Sequence, residues 1–193
     1  MTNYIIRKET PADWAEVVNL TREAFWNVYR PGCDEHLMMH DLHGHEALIE
    51  ELTHVVECDG RIVGHIAYTH SRVVDGETAH PTISFGPISV LPEMQRKGVG
   101  SLLIRHTLQL AKDMGYEGVL IEGNPAYYHR FGFYDAEKHG ICMPDGVFRD
   151  CMMAIEFIPG ALKAGSIRYA DPFEVDPARL EEFEKQFPPK VKR

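Results

Sequence analysis

The chain has 193 residues, 44% of them hydrophobic and 25% charged, a globular composition that excludes disorder throughout and allows about 70% of the unfolded chain's surface to be buried. Twenty basic against 29 acidic residues leave a net charge of −9 with histidine neutral. That balance argues against a nucleic-acid partner, because phosphate neutralisation needs a basic excess.

In chain order, residues 4–7 read as a short strand. Thr10 and Pro11 then open a helix, as N-cap and first helical residue. Trp14, Val17, Val18, Ala24 and Phe25 form its apolar face, and Pro31-Gly32 breaks it. A second helical stretch is predicted over residues 34–52, with a kink or break at Gly44. Three strands follow, over residues 54–58, 62–74 and 81–90, joined by Asp59-Gly60 and Asp75-Gly76. Asp-Gly between apolar runs signals a hairpin, because the turn needs positive φ.

A long helix begins near Gly98. Val99, Leu102, Leu103, His106 and Leu110 mark its predicted buried stripe, and Gly115 ends it. Residues 118–122 form a short apolar strand, so the passage from strand through helix to strand implies a crossover and a mixed sheet. A short helix over residues 125–130, a strand after Phe133 and a last strand over 151–158 complete a domain of residues 1–158. Residues 159–193 read as an extension, with a helix starting at Asp176-Pro177, apolar at Leu180 and Phe183, and a frayed end at residues 190–193.

The four cysteines form no CxxC pair, the first nine residues hold no signal-length apolar core, and no run nears the ~20 apolar residues of a membrane span. A reduced, cytoplasmic protein without a membrane partner is expected.

Gln95-Arg96-Lys97-Gly98-Val99-Gly100 lies between a strand and the long helix. A helix start carries backbone N–H groups without internal partners and the positive end of the dipole. Together they make an anion site, and the glycines let backbone curve around phosphate. Arg96 and Lys97 add positive charge. The pattern is neither GxxxxGK[ST] nor GxGxxG, so neither an ATP loop nor a dinucleotide fingerprint is supported. On the loop alone, a glycine-containing helix start with two solvated basic residues remains the other reading.

With Ile88-Ser89-Val90-Leu91-Pro92 before it, this loop resembles the Q/R-x-x-G-x-G/A motif of the GNAT acyltransferases. Downstream, Asn124-Pro125-Ala126-Tyr127-Tyr128-His129-Arg130-Phe131-Gly132-Phe133 is similar to that family's second signature. The resemblance covers residues 4–158, and the segment PxYYxRFGF is that of a bacterial subgroup of predicted N-acetyltransferases. It implies an α/β fold whose mostly antiparallel mixed sheet is split by the cofactor and flanked by helices. It also implies acetyl-CoA as co-substrate; no metal is expected. Main-chain groups of Ile88, Ser89 and Val90 would pair with the pantetheine arm. Gln95, Arg96, Lys97, Gly98, Val99, Gly100 and Ser101 would form the pyrophosphate loop. Asn124 would contact the cofactor near the thioester, and Tyr128 would bind there as the general acid that protonates the departing thiolate. A phenol near 10 is a reasonable donor to a thiolate near 8.5. Tyr127 reads as packing.

A base is less clearly marked. Glu122 ends a strand two residues before Asn124, with Glu35 and His36 as alternatives or a water chain in their place. The densest unusual composition is Cys33, His36, His40, His43 and His45. His36, His40 and His43 share a helical face by spacing, a pattern that can bind zinc but reads first as a polar face or pocket lining. The expected function is N-acetyl transfer to a primary amine of a small molecule or peptide. The alternatives are a non-catalytic acetyl-CoA-binding module and a metal-binding protein built on the histidines. A homodimer is left open.

Overall fold

The structure, a computed structural model, describes residues 3–193; Met1 and Thr2, part of the expectation about the N-terminus, lie outside the described residues. The elements run β1 (Tyr4–Lys8), α1 (Trp14–Phe25), α2 (Glu35–Leu42), β2 (His54–Cys58), β3 (Arg61–Asp75), β4 (Thr78–Val90), α3 (Val99–Asp113), β5 (Gly118–Glu122), α4 (Pro125–Tyr128), β6 (Tyr134–Asp135), β7 (Ile141–Cys142), β8 (Met152–Glu156), β9 (Gly165–Arg168) and α5 (Pro177–Glu184). The sheet is mixed. Its hydrogen-bonded neighbours run β1-β2-β3-β4-β5-β8-β6, with β9 against β3 and β7. The pairs β4–β5 and β7–β9 are parallel; β1–β2, β2–β3, β3–β9, β5–β8 and β6–β8 are antiparallel.

Two compact units divide the chain. One comprises the stretch ending at Ala67 with Pro87–Leu103 and Asp171–Arg193; the other comprises Tyr68–Gly86 and Ile104–Ala170.

In the first unit, Asp59 and Gly60 both take positive φ, +51° and +76°, the turn that the β2–β3 hairpin demands. Helix α1 buries Val17, Val18 and Leu20; α2 buries Leu37, Met39 and Leu42. The second helix stops at Leu42, well short of residue 52. Gly44 at φ +77° breaks it, and only the single turn Glu50–Leu52 is again helical. The C-terminal helix packs Phe183 against Val18 and Leu37, with Leu180 and Phe187 beside them. Residues 190–193 are tied down rather than frayed. Lys190 Nζ pairs with Glu23 at 2.8 Å, and Trp26 Nε1 and Asn27 Nδ2 both donate to the Val191 carbonyl at 3.0 Å.

In the second unit, Val73, Leu120, Ile141, Met152, Ala154 and Ile167 pack as one core. Strand β9 carries no pattern in the sequence that predicts it. It pairs Val73 with Ile167 and adds a strand from residues beyond 158.

Helix α3 ends as expected at Gly115 (φ +86°), with Tyr116 N–H donating to Ala111 O and Gly115 N–H to Lys112 O. Its buried stripe is rotated from the predicted one. Val99, Leu103, Ile104, Thr107, Leu108 and Ala111 are buried; Leu102 and Leu110 are half-buried and His106 is exposed. The apolar residues are spread too widely around this helix for spacing alone to fix which side meets the sheet.

Candidate active site

The start of α3 lies in the first unit. After β4, Leu91 N–H bonds to Val63 O at 3.1 Å and a helical turn at Pro92–Met94 redirects the chain. Gln95 Nε2 donates to the Val90 carbonyl at 3.2 Å, clamping the loop to the strand it leaves. Arg96 and Gly98 then take positive φ, +59° and +91°, which turns the chain back toward the helix axis. The helical ladder begins with Leu102 N–H to Gly98 O at 2.9 Å.

Among the described residues, none of the six amides from Arg96 to Ser101 has a backbone or side-chain acceptor. Residues 95–98 are exposed, and a Cβ placed at Gly98 would meet no atom within 4 Å. Six unsatisfied donors at the positive end of a fifteen-residue helix form a site for a polyanion. Gly64 on β3 sets the helix there. A Cβ at that position would strike Val99, 2.5 Å away, and crowd Leu103, at 3.2 Å, so only glycine lets α3 lie this close to the strand. Sequence reasoning missed Gly64, because its partner is 35 residues away.

Of the strand residues, Ser89 is fully buried and its Oγ donates to Thr21 Oγ1 at 3.1 Å. Ile88 and Val90 are half-buried; the Val90 carbonyl is the one that Gln95 engages.

The other predicted residues lie in the second unit. Strands β4 and β5 share the registered pair Ser84↔Leu120, so their parallel pairing is brief. Strand β5 runs on to Glu122, held by β8 through Glu122↔Met152 and by Gly123 N–H to Cys151 O at 2.8 Å. Asn124 caps the next helix, its Oδ1 accepting from Ala126 N–H at 2.9 Å, with Pro125 in the first turn.

That short helix delivers Tyr128, 9% exposed, into a ring of aromatics. Phe85 and Phe133 lie 5.9 Å from it by centroid and Tyr127 5.0 Å. Its ring lies against Gly123 so closely that any Cβ there would be driven into it. Gly123 is therefore the second glycine that the fold requires and spacing did not reveal. Tyr127 packs, as read, with the Arg130 guanidinium 4.7 Å above its ring.

Glu122 is exposed at its strand end, across β5–β8 from Met152, whose Sδ accepts from the hydroxyl of Tyr169 at 3.6 Å. Burial is the larger reason that the Tyr169 phenol is held above its ordinary range, and the Glu122 charge adds to it.

The cysteine–histidine cluster is dispersed. His36 is fully buried, its Nδ1 3.4 Å from Cys33 Sγ and its Nε2 3.0 Å from Glu184 Oε2. Burial pushes its pKa down to about 4, Arg22 adding to the shift and Glu184 opposing it; burial likewise pushes the Cys33 thiol up to about 12. His40 packs on Phe183 at 4.8 Å. His43 lies past the helix end, stacked on Trp14 with its Nε2 3.0 Å from Glu9 Oε1. His45 Nδ1 accepts from Ala47 N–H. So His36 and His40 share a face of α2, both against Phe183, but His43 does not join them. Among the described residues, no group of three or more His, Cys, Asp or Glu side chains is arranged to hold a metal, and no helix is long and apolar enough to cross a membrane. Glu35, the other alternative base, accepts from Asp34 N–H at 3.1 Å, and burial raises its pKa.

Residues 5–136 match the model of the acetyltransferase (GNAT) domain. The N-acetyltransferase YjhQ of Escherichia coli K12 is 34% identical over 130 residues, 60% of this chain and 67% of that protein. Among solved structures, a GNAT family acetyltransferase from Brucella melitensis in complex with acetyl-CoA is 30% identical with a TM-score of 0.74, over 89% of this chain and 99% of that one. YhbS from Escherichia coli, crystallised in complex with CoA, shares the fold at a TM-score of 0.79 and 24% identity, over 90% and 93% of the two chains. A six-amide helix start on a mixed sheet, and this likeness over most of its length, have one common explanation: the chain belongs to the GNAT family of acetyltransferases.

Proposed function

We propose that the protein transfers the acetyl group of acetyl-CoA to a primary amine of a small molecule or peptide, directly, within a ternary complex. The observation that carries this is the run of six unsatisfied amides at residues 96–101, a cradle for a diphosphate in a chain of this family. Arg96 and Lys97 supply charge beside it, and main-chain groups of Ile88, Ser89 and Val90 pair with the pantetheine arm. The acetyl-CoA bound by the Brucella relative supports the choice of cofactor.

The amine nitrogen attacks the thioester carbonyl after its ammonium loses a proton to Glu122, directly or through water. A main-chain N–H of β4 stabilises the tetrahedral oxyanion. The C–S bond then breaks, the thiolate takes the phenolic proton of Tyr128, and the second nitrogen proton leaves to solvent. Asn124 contributes its carboxamide N–H near the thioester.

Acetyl-CoA at about 100 times Kd raises the unfolding free energy by about 2.7 kcal/mol and the melting temperature with it, and ATP and NAD do not. A panel of primary amines and peptides, with thiol detection of released CoA, then finds the acceptor. Tyr128→Phe retains the thermal shift and lowers kcat by roughly 10²- to 10⁴-fold. Absence of any shift at millimolar acetyl-CoA rejects the proposal. A shift without turnover of any amine leaves a binding module in its place.

A further inference from the structure

Four exposed arginines of this acidic chain, Arg30, Arg61, Arg149 and Arg179, pair with Asp34, Glu93, Asp145 and Asp41. Arg105 and Arg130 are exposed as well, yet among the described residues neither guanidinium has a carboxylate partner. Aromatic rings brace them instead. The Arg105 guanidinium lies 5.2 Å from the centre of the Phe131 ring and that of Arg130 4.7 Å from the centre of the Tyr127 ring. The two rings meet edge to face at 5.4 Å, and Arg130 also donates to the Ala126 carbonyl at 3.5 Å. All four residues belong to the second unit. We infer that Arg105 and Arg130 form a phosphomonoester site, and that its ligand is the 3′-phosphate on the ribose of CoA. This rests on the diphosphate of the cofactor lying at residues 96–101, as proposed above.

Three observations carry the inference. First, Arg105 stands on the helix whose start bears the unpaired amides. It follows Ser101, the last of them, by four residues, one turn and about 6 Å along the axis. Helical side chains lean back toward the N-terminus, so Arg105 extends over the turn that carries the amides. In CoA the 3′-phosphate is joined to the diphosphate through the ribose, so a second phosphate falls beside the first. Second, a guanidinium stacked on a ring still has its N–H groups pointing outward in its own plane, where a phosphate takes them in pairs. Bracing by Phe131 and Tyr127 means that less side-chain freedom is lost when the phosphate arrives. Third, the net charge of −9 repels anions in general. A phosphomonoester carries about −1.5 to −2 charges at neutral pH, more than amide dipoles alone balance. Two arginines left without carboxylates supply the charge that it needs.

The test is titration calorimetry with acetyl-CoA and with 3′-dephospho-acetyl-CoA, at low ionic strength, on the unmutated protein, Arg105→Gln, Arg130→Gln and the double variant. The unmutated protein is expected to bind acetyl-CoA about tenfold more tightly than the dephospho form. Each single variant should cut that ratio by about threefold, and the double variant should bring it to about one. Affinity for 3′-dephospho-acetyl-CoA should stay within about twofold throughout. Lys112→Gln removes an exposed charge from the same helix, about 10 Å further along, and should keep the full ratio. Added salt should narrow the gap between the two ligands, as it does for exposed charges.

Equal affinity of the unmutated protein for the two ligands overturns the inference, and so does a ratio that survives in the double variant. A response in one single variant alone overturns the paired site and leaves the phosphate on that arginine. An equal loss of both ligands in the arginine variants also overturns it, since the effect would then not depend on the 3′-phosphate. In each of these cases the cradle at residues 96–101 stands. If the unmutated protein binds neither ligand, the cradle reading itself fails and takes this site with it.

Discussion

Two regions of the first unit attract attention for opposite reasons. The segment Cys33 to His45 is dense in groups that ligate metals and move protons, and the start of α3 is a plain glycine loop. The structure reverses their standing. His36 lies in the interior 3.4 Å from Cys33 Sγ and 3.0 Å from Glu184 Oε2, and His43 is taken by Glu9, whose carboxyl, pushed up by burial, is brought down to about 2 by the neighbouring His43 and His65. At residues 96–101, in contrast, donors are left over, and residues 96–98 are exposed. Residue types mark what chemistry is available; unsatisfied groups mark where the fold has left it unused. Backbone amides are nearly always paired when buried, so a run of unpaired ones kept at the surface is a stronger pointer to a ligand than a cluster of histidines that already have partners.

The sharpest way to break this contrast is to remove Arg22. It is 1% exposed, its guanidinium donates to Glu184 and to Pro188 O, and it lies 4.4 Å above the Trp26 ring. Truncation leaves the Glu184 carboxylate without its cation beside a buried histidine, a change that costs about 3–5 kcal/mol. For a chain of this size that lowers the melting temperature by on the order of 10 °C. If the histidine region is structural, Arg22→Ala is expected to lose that stability while its folded fraction binds acetyl-CoA within about twofold of the unmutated protein. Calorimetry on the same samples reads both. Normal stability with lost binding would reverse the roles assigned to the two regions.

The reach of the sequence follows the same physics. Hairpin turns and helix starts were legible because their causes are local. Asp59-Gly60 carries its own positive φ, and Asn124-Pro125 and Asp176-Pro177 carry their own caps, each accepting from the N–H two residues on, at 2.9 and 3.0 Å. The phosphate loop was legible for that reason too. Gly64 and Gly123 were not, since each is required by a side chain, Val99 or the Tyr128 ring, that only the folded chain brings near. Strand β9 holds one apolar residue, Ile167, and exists through backbone pairing with Val73; no period-2 pattern announces it. The histidine spacing misled because it presumes a helix that Gly44 and His43 end early.

From the other side, Gly98→Val tests the loop. Its φ of +91° strains any β-branched residue, and its open surroundings mean that the new side chain strikes no protein atom but occupies the space over the amides. The expected result is loss of the acetyl-CoA thermal shift, about 2.7 kcal/mol at 100 times Kd. Gly160→Val is the control. That glycine has φ +81° and equally open surroundings, so it should cost similar backbone strain, roughly 1–3 kcal/mol, and keep the shift. Equal losses of ligand response in both variants would trace the effect to general destabilisation and remove the loop from the binding site.

The smallest expected effect is a pH dependence, and it sharpens the structural half of the comparison. His36 faces Cys33 from its own turn, Arg22 from α1, Glu184, Phe183 and Phe187 from the C-terminal segment, and Asp34 from its N-terminal side. Burial holds it near 4 in the folded state, below the ordinary value of 6.5. The sign follows from proton counting. Between pH 6.5 and 4 the unfolded chain binds a proton that the folded chain refuses, so stability falls as the pH is lowered through that window and is unaffected by this group above it. From pH 8 to pH 5 the loss amounts to about 2 kcal/mol. In His36→Gln, whatever its own stability, the difference between denaturant midpoints at pH 8 and pH 5 should shrink by that amount. Identical pH differences in the two proteins would mean that His36 accepts its proton in the folded state, as an ion-pair partner of Glu184, and that the interior around it is more polar than a satisfied structural cluster requires.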